Sequence, residues 1–239
     1  MSDFSRQRIL DRVRLATHFP SIGQVVDSYA ALSRTYLRAG EFGADATNSL
    51  MIERLREYGA EVVETTLKEL PTAIAAQLLA SQRHTFVVPP GIQQTWRDPR
   101  FEWKIDHHLT TDEIEQTEGV VTACFCGVAD SGTIALHHSP AEGRRILTLL
   151  PDWHLCILKA SQIVRSLPEY FDRCQQPPAL ATFISGPSAT ADIEMTRIKG
   201  VHGPRFLNVI LVHDQGASAT ATTKELEART RSKAHARLV

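Results

Sequence analysis

The sequence predicts an α/β protein: an open, mostly parallel sheet flanked by helices, preceded by a helical N-terminal extension. Three observations predict it. From residue 46 onward, helical and strand patterns alternate in units of the size that parallel pairing with crossover helices requires. Residues 154–159 and 207–213 are apolar runs of the kind that buried strands show. The chain has 239 residues, 43% hydrophobic and 22% charged, which suffices to bury a large core without disulfide or metal staples.

The elements follow in order. Phe4, Ile9, Leu10, Val13 and Leu15 recur among Arg and Asp over residues 4–16, an amphipathic helix. Ile22, Val25, Val26, Tyr29, Leu32 and Tyr36 carry the same spacing into a second helix, ended by Gly40 and Gly43. These two make the extension, residues 1–45. The α/β domain is expected over 46–214. It starts with a helix capped by Asn48, running through Met51, Ile52, Leu55 and Tyr58 and stopped by Gly59. A short strand at 61–65 is followed by a helix over 71–82, with Pro71 in its first turn. A strand at 84–88 leads into an irregular surface segment, 91–110, in which Trp96 and Trp103 pack down. Residues 111–117 read as a short helix and 119–126 as an apolar β segment. A turn at 130–133 and a strand from Ile134 complete a hairpin-like signal. Further strands are expected at 154–159, 180–185 and 207–213. The tail, 215–239, has too little apolar surface to dock and is expected to be flexible.

Composition excludes several classes. The net charge is -1 and the pI about 6.8, unlike a nucleic-acid binder. The N-terminus lacks the apolar core of a secretory signal, and no apolar run is long enough to span a bilayer, so a cytoplasmic location is expected. Cys124, Cys126, Cys156 and Cys174 form no C-x-x-C, so neither a thioredoxin site nor an iron–sulfur run is present, and reduced thiols are expected.

Four segments carry candidate chemistry. In residues 185–194 an apolar run ends, Gly186 and Pro187 turn the chain, and hydroxyl residues precede a helix-like stretch. A helix N-terminus there would present free amides to a carboxylate or phosphate. Ser188 and Thr190 are candidates to cap that end or touch a ligand. Asp192 and Glu194 are candidate acid–base groups, or complements to the helix dipole. Composition alone favours the capping reading. Around His202, Gly200 and Gly203 allow close backbone approach, and the histidine is either a proton carrier or a packed loop residue. Asp130, Ser131, Gly132 and Thr133 are a turn in isolation. Arg144 and Arg145, after Gly143, suit bidentate anion binding, or a solvated face, or pairing with Asp130 or Glu142. Ten histidines include the pairs His107–His108 and His137–His138, which point to opposite faces if on strands. Cys124 and Cys126 would share a strand face, but metal-ligand spacing is missing and no metal site is expected.

Four motifs in order carry a resemblance: residues 120–136, 143–151, 184–194 and 200–204. Together the chain resembles the LUD-domain family of lactate-utilization proteins, over roughly residues 46–214 and most strongly over 119–214. The resemblance implies a sheet similar to the NagB/RpiA/CoA transferase-like fold, with ligands at the carboxyl ends of strands. It implies a non-cluster subunit or accessory protein of a system oxidising L-lactate to pyruvate. No cofactor would be bound by this chain, iron–sulfur clusters being carried by partner proteins, and the substrate would be a small carboxylate. The positions Asp130, Ser131, Gly132, Thr133, Arg144, Arg145, Gly186, Ser188, Thr190 and Gly203 become substrate-binding candidates, and Asp192, Glu194 and His202 catalytic ones. Motif positions carry over, not roles. Two alternatives stay open: a stand-alone enzyme acting on an acyl-coenzyme A or phosphosugar type of anion, and a partner-binding scaffold without a small ligand.

Overall fold

A computed structural model of the chain describes residues 3–17, 21–33, 43–190, 198–199 and 203–214. The chain divides into two compact units, Met1–Leu37 and Arg38–Val239. The first holds helices α1 (Asp3–Thr17) and α2 (Ile22–Ala30). Ser21 caps α2: its Oγ accepts from the Gln24 amide at 3.3 Å, while the Gln24 side chain accepts from the Ser21 amide at 2.8 Å.

The second unit runs α3 (Ala44–Glu57), β1 (Glu61–Thr66), α4 (Leu70–Ser81), β2 (Thr85–Val88), β3 (Glu102–Ile105), α5 (Thr111–Glu115), β4 (Gly119–Ala123), β5 (Cys126–Val128), β6 (Thr133–Leu136), β7 (Trp153–Lys159), β8 (Ile163–Val164), α6 (Leu167–Arg173), β9 (Thr182–Ile184), β10 (Ala189–Thr190), β11 (Ile198–Lys199) and β12 (Phe206–His213). Six strands form an all-parallel sheet in the order β1-β12-β7-β4-β2-β3. Beside it lies a sheet of order β8-β5-β6-β9, antiparallel across β5-β6 and β6-β9. β10 and β11 make a separate two-stranded ribbon.

Alternate residues of the central strands feed two cores, as a strand's period of two requires. On β12, Val209 and Leu211 face α3 and the smaller sheet, packing with Met51, Leu55, Ile134 and Leu136. Ile210 and Val212 face α4, with Ile74, Leu78 and an aromatic group around Phe86. Phe86 lies 5.6 Å from the Phe101 and Trp103 rings and 5.7 Å from Trp153. Strands covered on both faces read as continuous apolar runs, which is why β7 and β12 stand out in the sequence. Each fully buried Leu or Ile adds roughly 1.5–3 kcal/mol of transfer free energy.

Several expectations need correction. α3 is capped at Gly43, not Asn48: the amide and hydroxyl of Thr47 both donate to the Gly43 carbonyl, and Asp45 complements the helix dipole. The segment 91–110 contains the edge strand β3, held to β2 by backbone pairing and anchored by the Trp103 indole, which donates to the Asp98 carbonyl at 2.8 Å. The apolar β segment 119–126 divides between two sheets: β4 enters the parallel sheet and β5 the smaller one. The helix α6 was not expected; Ser166 caps it and Pro168 occupies its first turn. The tail 215–239 lies outside the described residues. Among the described residues, no helix is long and apolar enough to cross a membrane.

Candidate functional site

β9 pairs with β6, Leu136 opposite Thr182 and Ile134 opposite Ile184. The chain then leaves the sheet and turns at Gly186, whose φ is +85°. A Cβ at Gly186 would lie 2.5 Å from Tyr58 Cβ, so both the backbone conformation and the close approach demand glycine. The turn delivers Ser188, whose amide donates to the Pro204 carbonyl at 2.9 Å. Gly203 lies against Ser188 and the Thr148 carbonyl. Thus the segment after β9 and the segment before β12 meet.

A cavity of about 300 Å3 opens between them. Its walls include Arg145, Thr148, His154, Thr182, Gly186, Ser188, Gly203 and Leu207. His154 and Leu207 are opposite one another near the starts of β7 and β12. The cavity therefore sits at the amino ends of two central strands, not at the carboxyl ends that the resemblance implies. The second sheet explains the placement: β9 discharges its turn over the β7 and β12 starts.

The two arginines separate. Arg144 grips Asp106 with Nε to Oδ2 at 2.8 Å and Nη2 to Oδ1 at 2.6 Å, and also donates to the Leu109 carbonyl at 2.8 Å. Asp106 has only 2% of its side chain exposed. Burial pushes its carboxyl up, but hydrogen bonds from Arg144 and the Leu109 amide outweigh that and hold it below the usual carboxylate range. Arg144 is thus a structural clamp, not an anion receptor, and its partner is neither Asp130 nor Glu142. Arg145 lines the cavity, is exposed, and donates from Nη1 to Thr182 Oγ1 at 3.4 Å. Among the described residues no carboxylate lies within ion-pair distance of Arg145.

The turn at 130–133 faces elsewhere. Asp130 pairs with Arg165 at 2.5 Å, and Gly132 packs against Arg54 of α3. Ser131 and Thr133 hydroxyls are 2.8 Å apart, and Thr133 Oγ1 lies 2.7 Å from Ser185 Oγ. Asp130, Ser131 and Gly132 are not in the cavity wall. Thr133 reaches it only through Ser185.

Ala189 and Thr190 form β10, which pairs with β11, and the helix-like stretch expected beyond them lies outside the described residues. Thr190 lies in that ribbon. Asp192, Glu194 and His202 lie outside the described residues. Cys124 donates to the Ile157 carbonyl and Cys126 to that of Gly127, in separate buried clusters. Among the described residues no group of three or more His, Cys, Asp or Glu side chains is placed to hold a metal.

Residues that sequence reasoning missed complete the wall. His154 is 1% exposed, its Nε2 is 2.8 Å from Thr122 Oγ1, and burial pushes its pKa down to about 4, so the ring is neutral at pH 7. Thr182 contacts both Arg145 and His138 Nε2, the latter at 2.9 Å. The sequence signal for His154 is a lone polar ring at the head of an apolar strand, which reads equally as core.

Residues 36–212 match the LUD domain. The chain belongs to the LUD-domain family. The LUD-domain chain is 37% identical over 164 residues to lactate utilization protein C of Deinococcus radiodurans, covering 67% of this chain and 76% of that protein. It is 27% identical over 203 residues to lactate utilization protein C of Bacillus subtilis, covering 73% and 81%. Among solved structures, a DUF162 family protein from Deinococcus radiodurans superimposes with a TM-score of 0.60 at 30% identity, covering 72% of this chain and 99% of that one.

Proposed function

We propose that this LUD-domain protein binds the carboxylate of L-lactate or pyruvate, as a non-cluster subunit or accessory protein of a cytoplasmic iron–sulfur system that oxidises L-lactate to pyruvate. The single observation that carries the binding step is Arg145, a cation without a carboxylate partner among the described residues, in the wall of a cavity large enough for a three-carbon acid. A guanidinium beside a hydroxyl and a glycine-lined turn suits a small carboxylate. The names of the relatives supply the pathway.

The oxidation removes two electrons and two protons from lactate. In this reading the electrons pass to clusters on partner proteins, since the sequence holds no C-x-x-C run. His202 adjoins Gly203 in the chain and is the candidate proton carrier, with Asp192 and Glu194 as the acidic candidates.

The test is growth on L-lactate of a strain lacking this chain and any other lactate dehydrogenase. Complementation by the wild-type chain, and failure by a folded Arg145→Met chain, is the expected result. Undiminished growth of the deletion strain refutes the role, and full rescue by Arg145→Met refutes the site.

A further inference from the structure

We propose that Thr182 and His138 form a proton-linked donor in the cavity wall, so that binding of a small carboxylate takes up a proton at His138. The inference rests on the carboxylate reading of the cavity. His138 follows β6 and adopts a left-handed conformation, φ +58°, uncommon for a residue with a side chain though tolerated by histidine better than most. Its ring bridges two fixed groups. Nδ1 lies 2.8 Å from the Gly143 carbonyl and Nε2 lies 2.9 Å from Thr182 Oγ1.

A carbonyl only accepts, so Nδ1 carries a hydrogen. In the neutral ring Nε2 then holds a lone pair and accepts a hydrogen bond from the Thr182 hydroxyl. Thr182 presents only lone pairs to the cavity, which suits the Arg145 Nη1 donor at 3.4 Å and repels a carboxylate. When a proton from solvent occupies Nε2, that nitrogen donates to Thr182 Oγ1, and the hydroxyl hydrogen is released to turn toward the cavity. The same oxygen becomes a donor to an anion. No heavy-atom bond forms or breaks, and the only change in composition is one proton gained.

Charged groups surround the pair. Arg145, in the cavity wall, contacts the same Thr182 oxygen as His138. Glu142 lies on the turn 139–143, where its carboxylate accepts from Ser139 Oγ at 2.9 Å and from the His137 amide. His137 is the adjacent titratable ring; its Nε2 lies 2.7 Å from Tyr170 OH, and burial foremost keeps its pKa low, so it adds little positive charge beside His138. A bound carboxylate offsets Arg145 and tips the ring toward the charged form. Reciprocity then requires that protonation of His138 strengthen carboxylate binding by the same factor.

The experiment is calorimetric titration of the full chain with pyruvate, in two buffers of different ionisation enthalpy, from pH 6 to 8. It is run for the wild type and for His138→Gln, Thr182→Val and Thr182→Ser. The wild type and Thr182→Ser are expected to take up a fraction of a proton, at most one, per pyruvate, with affinity falling by up to about tenfold per pH unit. His138→Gln and Thr182→Val are expected to bind more weakly, without proton uptake and with no slope in pH. Nitrogen-15 shifts of the neutral His138 ring should report the Nδ1–H tautomer. Pyruvate binding without proton uptake in the wild type, uptake undiminished in Thr182→Val, or an Nε2–H tautomer overturns the switch while leaving the carboxylate site standing. No pyruvate binding by any of the four proteins overturns both.

Discussion

The Ser188 amide donates to the Pro204 carbonyl at 2.9 Å, and this bond ties the exit of β9 to the entry of β12. It closes one side of a cavity whose floor is set by His154 and Leu207, opposite each other in the parallel sheet. The two ends of the connection between β9 and β12 thereby share one wall. The carboxylate reading depends on that junction.

Gly186 is the most constrained point of the junction. Gly186→Ala places a Cβ 2.5 Å from Tyr58 Cβ at a φ of +85°, so the turn must shift. A loss of about 2 kcal/mol in urea unfolding, with weakened pyruvate binding, is expected. An unchanged midpoint would show that the turn is not held as described.

Adjacent arginines should behave as opposites. Arg144→Met strands the buried Asp106 carboxylate, and a destabilisation of roughly 2 kcal/mol is expected, reduced from the fully buried case because Arg144 is partly exposed. Arg145→Met should change stability by no more than about 0.5 kcal/mol. Its cost should fall on pyruvate affinity, by roughly tenfold or more. Denaturation and calorimetry on the same two proteins separate the effects.

His154 makes stability depend on pH. Its folded pKa is about 4 against an ordinary 6.5, so between those values the unfolded chain binds the extra proton. The contribution is intact above about pH 6.5 and is lost as pH falls toward 4, by up to about 3 kcal/mol. His154→Gln, which can still accept from Thr122, should flatten the wild-type fall in stability between pH 7 and 4.5. An equally steep fall in the variant would assign the effect to other groups.

The hydroxyl pair Thr133 and Ser185, 2.7 Å apart, links the 130–133 turn to the cavity wall. A double-mutant cycle with Thr133→Val and Ser185→Ala should give a coupling of about 0.5–1 kcal/mol. Additive effects would mean that the turn and the wall are independent.

The parallel sheet was legible because β7 and β12 are buried on both faces and so are largely apolar. β3 was not, since Glu102, Trp103, Lys104 and Ile105 carry two charges in an edge strand too short to show a period. Gly186, Ser188 and Gly203 were legible as turn chemistry. The division of labour between Arg144 and Arg145 was not, because Asp106 lies 38 residues before Arg144 and only folding brings it near. The settings of His154 and His138 were not legible for a related reason: they come from Thr122, Thr182 and Gly143, partners that no local pattern reveals.

The most direct test of the site is an amide NMR titration of the labelled chain with pyruvate. Shifts concentrated at Ser185, Gly186, Ser188 and Gly203, with the Arg145 side chain, are the expected result. Shifts confined to the opposite edge of the sheet, around Gly91, Asp106 and Asp214 beyond the strand carboxyl ends, would contradict it.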